Sequence, residues 1–362
     1  MSLGIFEKER AINGEPFLST VGQAEIYADK YEVPVEDVLH IALNLSGIQH
    51  EEVVNDRGRF ELTLPGGKSH KVALTITNSP KTKFSHDGAS VYLGYEKIGN
   101  GTEIKKDTCT DSYWRSETHL TLNSNSRSIC KGCHFCGTYS LERADDPLTD
   151  EKHLTERAIE LSKEIGGDFS KVDAIGIVTG CFPSEQPIVD HVKSIRKVFS
   201  QLGFKGEIQY IGSQLKSENA ISQLIDDGPF ALYLTTEIFL RRDQLMKKQK
   251  SSLTLEEGRQ ILQTTKALGG QSSFLYIAGL DPLETIYEEL PKFADVVTRF
   301  PQLQTYQLYT PEQEKYRSDD AHTLDYYLKL RQFTEQQFPD LKPVTFHNYR
   351  GLWYSKYQGK PL

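Results

Sequence analysis

The chain has 362 residues, 38% of them hydrophobic, and a formal net charge of -8 at neutral pH, enough for one large or two moderate globular domains. Acidic and basic residues are interspersed, so the basic footprint that a nucleic-acid partner requires is missing and none is expected. No apolar run reaches the ~18 residues of a membrane span, and Glu7, Lys8, Glu9 and Arg10 stand where a leader would be apolar; a cytoplasmic protein with no membrane partner is expected.

Taken in order, residues from about 23 to 48 read as helical, broken at Val33-Pro34 and resumed with Val35, Val38, Leu39, Ala42 and Leu43 on one face before Gly47. Alternating runs at 59–64, 71–77 and 90–95, separated by turn residues, predict a small antiparallel sheet. The first unit is therefore an α+β accessory domain over 1–112. It shows no recognisable chemical motif, and capping the next domain is its expected role.

From about residue 115 strands and helices alternate. A strand at Thr118–Asn123 runs straight into Cys130, Cys133 and Cys136. C-x2-C-x2-C is the first part of the run that wraps an iron–sulfur cluster, with Ser140 where a fourth cysteine would stand. Three thiolates on a cubane leave one iron for another ligand, which points beyond electron transfer to catalysis. Structural zinc is the rival, completed by His134 or Cys109, although zinc sites usually separate their ligand pairs by a longer loop. Cys109 and Cys181 otherwise read as ordinary buried thiols. With five cysteines, three in one loop, there is no disulfide framework, which suits a reducing compartment.

Further strands are predicted at 172–179, 207–211, 231–236, 273–277 and 305–309, with helices at 154–165, 188–199, 217–226, 254–268 and 283–299 between them. Thr254 and Glu257 have the spacing of a capping box. Six strand–helix repeats in about 200 residues predict a parallel sheet with helices outside. Six is fewer than eight, so the fold class is α/β, a partial (β/α)6 TIM-like barrel over 113–315, with a doubly wound sheet as the other arrangement. A helix from about 319 to 338 and an aromatic tail form a C-terminal extension over 316–362. Ligands of such sheets meet the C-terminal strand ends, where the cysteine loop begins.

The order of landmarks from about 115 to 312, a little over half the chain, resembles the core of the radical S-adenosylmethionine (radical SAM) superfamily. Phe135 precedes the last cysteine as in that family, whose spacing is C-x3-C-x2-C; here Ile129 occupies the usual first position and Cys130 comes one residue late. The resemblance implies that Cys130, Cys133 and Cys136 hold a [4Fe–4S] cluster. It further implies that Thr179 and Gly180 form the turn that receives the methionine amino group, that Glu237 holds ribose hydroxyls, that Arg259 grips the methionine carboxylate and that Ile277 lies against adenine. A carboxylate suits a diol and a guanidinium suits a carboxylate, while a helix-terminal acid, a surface arginine and a core isoleucine are the plainer readings. Implied partners are a small-molecule substrate and a flavodoxin- or ferredoxin-type reductant. Tyr309 and His347 are candidate hydrogen donors to substrate. The reaction stays open among rearrangement, dehydrogenation, carbon–carbon bond formation and methylation; an iron–sulfur carrier or sensor and a zinc-stabilised βα protein are the alternatives.

Overall fold

A computed structural model of the chain describes residues 17–50, 56–79, 82–106, 112–124, 132–137, 148, 150–180, 182–344 and 350–362. It opens with two helices, α1 (Val21–Tyr31) and α2 (Val35–Ser46). Thr20 caps α1 by accepting from the Gln23 backbone N–H, and Glu32 ends it in the left-handed conformation. Pro34 has a φ suited to a helix start and no N–H to strand there, so the chain re-enters a helix directly at Val35. Residues Glu36 to Leu45 of α2 are all buried, charged ones included.

Six strands complete this unit: β1 (Gln49–His50), β2 (Asp56–Thr63), β3 (Ser69–Ile76), β4 (Phe84–His86), β5 (Ser90–Leu93) and β6 (Glu96–Lys106). Their order is β1-β4-β5-β6-β2-β3, antiparallel except for the β1–β4 pair. The three alternating runs of the sequence are β2, β3 and β5.

The second sheet holds β7 (Tyr113–Ser116), β8 (His119–Leu122), β9 (Ala174–Val178), β10 (Glu207–Gly212), β11 (Phe230–Glu237), β12 (Gln271–Ala278) and β13 (Gln302–Thr305). Strands β8 to β13 lie side by side in chain order, all parallel, and β7 adds an antiparallel edge to β8. Parallel neighbours need crossovers, and these are α3 (Glu151–Lys163), α4 (Gln186–Gln201), α5 (Glu218–Asp226), the short α6 (Arg242–Leu245) and α7 (Lys248–Ser251), α8 (Leu255–Ala267) and α9 (Leu283–Glu289). Both halves of the capping box form at α8, from Thr254 and Glu257.

Two expectations are corrected. The sixth parallel strand is Gln302–Thr305, not 305–309. Beyond Tyr306, whose N–H still reaches the Ala278 carbonyl at 2.8 Å, the chain leaves the sheet for the N-terminal unit: Gln307 donates to Asn44 and to the Ala73 carbonyl, and the Leu308 carbonyl accepts from Thr75. Its alternation serves a second partner surface. The helix expected over 283–299 is α-helical only to Glu289, and 290–296 is a 3-10 segment, because Pro291 has no N–H to give to the preceding turn.

The units expected at 1–112, 113–315 and 316–362 share one apolar cluster, which runs from Leu39 and Phe60 through Ile175 and Phe274 to Trp353. Helix α10 (Leu324–Gln337) packs on both α1 and α2 and on the 290–296 segment. Its Arg331 and the Asp37 carboxylate of α2 form a buried ion pair across that junction. Among the described residues no helix is long and apolar enough to cross a membrane.

Candidate functional site

The described part of the cysteine loop, Gly132 to Gly137, is pressed between two segments that follow strand ends. Gly132 has φ +106, and a Cβ there would lie 2.9 Å from the Lys247 Cβ. A Cβ on Gly137 would lie 2.5 Å from the Tyr309 Cβ, so both flanks of Cys133-His134-Phe135-Cys136 need glycine for close approach. Within the loop the Cys136 N–H closes a turn onto the Cys133 carbonyl at 3.1 Å, and the His134 N–H donates to the Leu245 carbonyl at 2.8 Å. Gln313 completes the clamp: its amide donates to the His134 carbonyl at 2.9 Å while its oxygen accepts from the Tyr309 N–H at 2.7 Å.

This clamp sets Cys133 and Phe135 into a small apolar cluster separate from the main core. Ile238 follows β11, Leu280 follows β12, Tyr306 follows β13, and Leu245 and Met246 come from the β11–β12 crossover; Cys136 and Ile277 border the group. The cysteine loop after β8 thus closes over the C-terminal ends of β11, β12 and β13, on the far side of the sheet from its own strand.

Charge at this place is arranged around Glu237. The residue sits at the end of β11 with φ +65, a left-handed conformation that disfavours a side chain. Its Oε1 accepts from Lys250 at 2.6 Å. Its Oε2 is buried and has no hydrogen-bond partner among the described residues; nor do the hydroxyls of Thr235 and Thr236 just before it. Burial, and then the Glu237 charge, push the Cys133 thiol up to about 11, against the opposing pull of Lys250 and of the Lys247 N–H, which points at the Cys133 sulfur from 3.5 Å. A nucleophilic cysteine needs the opposite shift.

The segment carrying Lys247 and Lys250 is itself pinned. Arg242 donates to the carbonyls of Thr236 and Ile238, each at 2.7 Å, and to Leu253 at 3.0 Å. The buried Asp281 carboxylate accepts from the N–H groups of Phe239 and Leu240 and from the Tyr276 hydroxyl; burial raises its pKa, against those hydrogen bonds.

Of the residues singled out in the sequence, the fold brings together Cys133, Cys136, Phe135, Glu237, Ile277 and Tyr309. Thr179 and Gly180 follow β9, another strand of the same sheet. Arg259 lies on α8, ion-paired to Glu256 and, at 3.7 Å, to Glu289, and 5.6 Å over the Phe293 ring; none of these belongs to the cysteine loop. The ring of His134 faces Tyr316 at 5.8 Å. Cys109, Cys130, Ser140, Cys181 and His347 lie outside the described residues.

The sequence reading missed Lys250, which has no motif around it, and Arg57. This arginine reaches from β2 to stack 4.4 Å over the Tyr309 ring and donates to Gln307 at 2.9 Å, so the N-terminal unit supplies a wall beside the cysteine loop. Strands β8, β10, β12 and β13 border a cavity of about 110 Å³, lined among others by His119, Gln209, Leu275, Gln302 and Gln304. Burial lowers the His119 pKa, and the Gln302 amide nitrogen has no hydrogen-bond partner among the described residues.

Neither a family model nor a curated protein matches the sequence. Among solved structures, similarity is found to coproporphyrinogen III oxidase (HemN) from Escherichia coli, described as a radical SAM enzyme, with 16% identity, 57% of this chain and 50% of that one covered, and a TM-score of 0.39. HydG, a maturase of the [FeFe]-hydrogenase, matches at 14% identity over 63% of this chain and 52% of its own, TM-score 0.44. The radical S-adenosylmethionine methyltransferase TsrM from Kitasatospora setae matches at 12% identity over 65% and 44%, TM-score 0.38. The chain spans about half the length of these proteins. At such scores nothing about its site is carried over from them.

Proposed function

We propose that the chain is a radical SAM enzyme, a partial (β/α)6 barrel working in the cytoplasm on a small polar substrate. The observation that carries this reading is the Cys133–Cys136 turn closed over the ends of β11 to β13 beside a buried Glu237 oxygen that has no partner among the described residues. That donor set fits the cofactors: two thiols a turn apart, with Cys130 as third ligand of a [4Fe–4S] cluster, and next to them a carboxylate oxygen waiting for a hydroxyl. The cluster and S-adenosylmethionine, once bound and given an electron by a flavodoxin- or ferredoxin-type protein, supply a carbon-centred radical by reductive cleavage of a carbon–sulfur bond.

The residues around them have separable tasks. Lys250 holds one Glu237 oxygen, which would leave the other to accept from the ribose hydroxyls of bound S-adenosylmethionine. Phe135 and Ile277 give an apolar wall for the adenosyl group and keep water away. Thr179 and Gly180 form the turn for the amino group. For Arg259 to meet the methionine carboxylate, its pairs with Glu256 and Glu289 have to exchange. Substrate occupies the amide-lined cavity, and Tyr309 and His347 are the hydrogen donors to it.

Electron paramagnetic resonance of the anaerobically reconstituted, dithionite-reduced protein, with and without S-adenosylmethionine, tests the reading. A [4Fe–4S] signal that changes on addition is expected, and Glu237→Gln keeps the cluster while weakening S-adenosylmethionine binding on the order of tenfold to a hundredfold. A cluster signal indifferent to S-adenosylmethionine makes the protein a carrier or sensor. No cluster, with zinc that disappears in Cys133→Ala/Cys136→Ala, makes it a zinc-stabilised protein.

A further inference from the structure

A second convergence of ligand-type side chains lies in the N-terminal unit. Glu36 and His40 are four residues apart on α2, which stacks them on one helix face. His70, second residue of β3, meets them, and one ligand atom from each of the three lies within 4.8 Å of the others. Glu36 and His40 are each 1% exposed. Both Glu36 carboxylate oxygens, His40 Nε2 and His70 Nε2 lack a hydrogen-bond partner among the described residues; His70 Nε2 lies 3.3 Å from Glu36 Oε1.

The surroundings prevent an easy escape. Tyr354 stacks on the His40 ring at 4.1 Å and meets the His70 ring edge-on at 5.3 Å. Gly66 backs the carboxylate so closely that a Cβ there would come within 2.1 Å of Glu36 Oε2. A buried carboxylate without donors is costly, and a single proton shared with His70 would still leave the second oxygen and the His40 nitrogen unserved. One cation at the centre serves all three side chains.

We propose that Glu36, His40 and His70 bind a divalent first-row transition metal, zinc by preference. Imidazole nitrogens with one carboxylate suit zinc, whereas calcium and magnesium ask for oxygen ligands. Bound there, the ion ties α2 to β3 and, through the rings packed on Tyr354, to the C-terminal tail. Its role is to fix the N-terminal unit, which carries Arg57 to the other site.

Metal analysis and thermal unfolding of the full chain produced in zinc-supplemented medium test the site. About one zinc per chain is expected, retained in Cys133→Ala/Cys136→Ala and lost when His40→Ala or His70→Gln is added. Chelation lowers the melting temperature of the wild type, and zinc restores it. Should the His40→Ala variant fail to fold, cobalt titrated into metal-free Cys133→Ala/Cys136→Ala protein is expected to give visible d–d absorption that is lost when His70→Gln is added. Wild-type protein with no zinc beyond what the cysteine variant loses, and no rise in melting temperature or cobalt absorption on metal addition, overturns the proposal.

Discussion

Glu36 and Asp37 are consecutive carboxylates on α2, 1% and 0% exposed, and their surroundings could hardly differ more. Asp37 Oδ1 accepts from the Ser355 N–H and hydroxyl, both at 2.8 Å, and Oδ2 accepts from Arg331. The arginine is in turn satisfied by the carbonyls of Leu352 and Lys356 and by Glu335. Glu36 faces two imidazoles and a glycine and receives no hydrogen bond from any described residue. One face of the helix is a closed ionic joint between α2, α10 and the tail; the other gathers a carboxylate and two imidazoles that lack hydrogen-bond donors among the described residues. Burial alone says nothing about which is which, and the supply of donors decides it.

Breaking the joint gives the largest effect. Arg331→Met leaves Asp37 charged and stranded and is expected to cost about 3–5 kcal/mol in urea unfolding at neutral pH, most of it recovered in Asp37→Leu/Arg331→Met. A loss below about 1 kcal/mol would put the pair among ion pairs of little consequence. A third buried polar group, His191 of α4, sharpens the contrast by staying neutral: it is hydrogen-bonded to Ser124 at 2.6 Å, and burial pushes its pKa from 6.5 down to about 4. The unfolded chain therefore binds a proton that the folded chain refuses between those values. Stability should fall as the pH drops from 6.5 to about 4, by at most about 3 kcal/mol, and His191→Gln should flatten the curve there. The smallest effect is at Glu36. In metal-free protein Glu36→Gln removes a charge with no donors to lose, so a change within about 1 kcal/mol is expected, whereas the same substitution in zinc-loaded protein abolishes the stabilisation that zinc gives.

Much of the fold was legible because its signals are local. The break at Val33-Pro34, the capping box at Thr254 and Glu257, and the strands β8 to β12 all depend on residues adjacent in sequence. The sixth strand was misplaced because Gln307 and Leu308 alternate for the sake of Asn44, Ala73 and Thr75, partners that lie far away in the chain. Cys133, Cys136 and Glu237 were legible as a motif and a strand end. Lys250 and Arg57 were not, since the one acts across a crossover and the other arrives from a different sheet. Glu36 and His40 show helical spacing, which any amphipathic helix produces, and nothing near His70 in sequence announces that β3 delivers it to the same point.

Glu237 holds the left-handed conformation that glycine adopts freely, at a cost of about 1 kcal/mol or more for a side chain. A glycine there, with Lys250 made apolar so that no lysine loses its partner, would relax the backbone and remove the carboxylate together. Under the proposed function, heat tolerance and activity pull this position in opposite directions. A library ranked by melting temperature alone would enrich the exchanged pair and discard the carboxylate whose charge acts on Cys133.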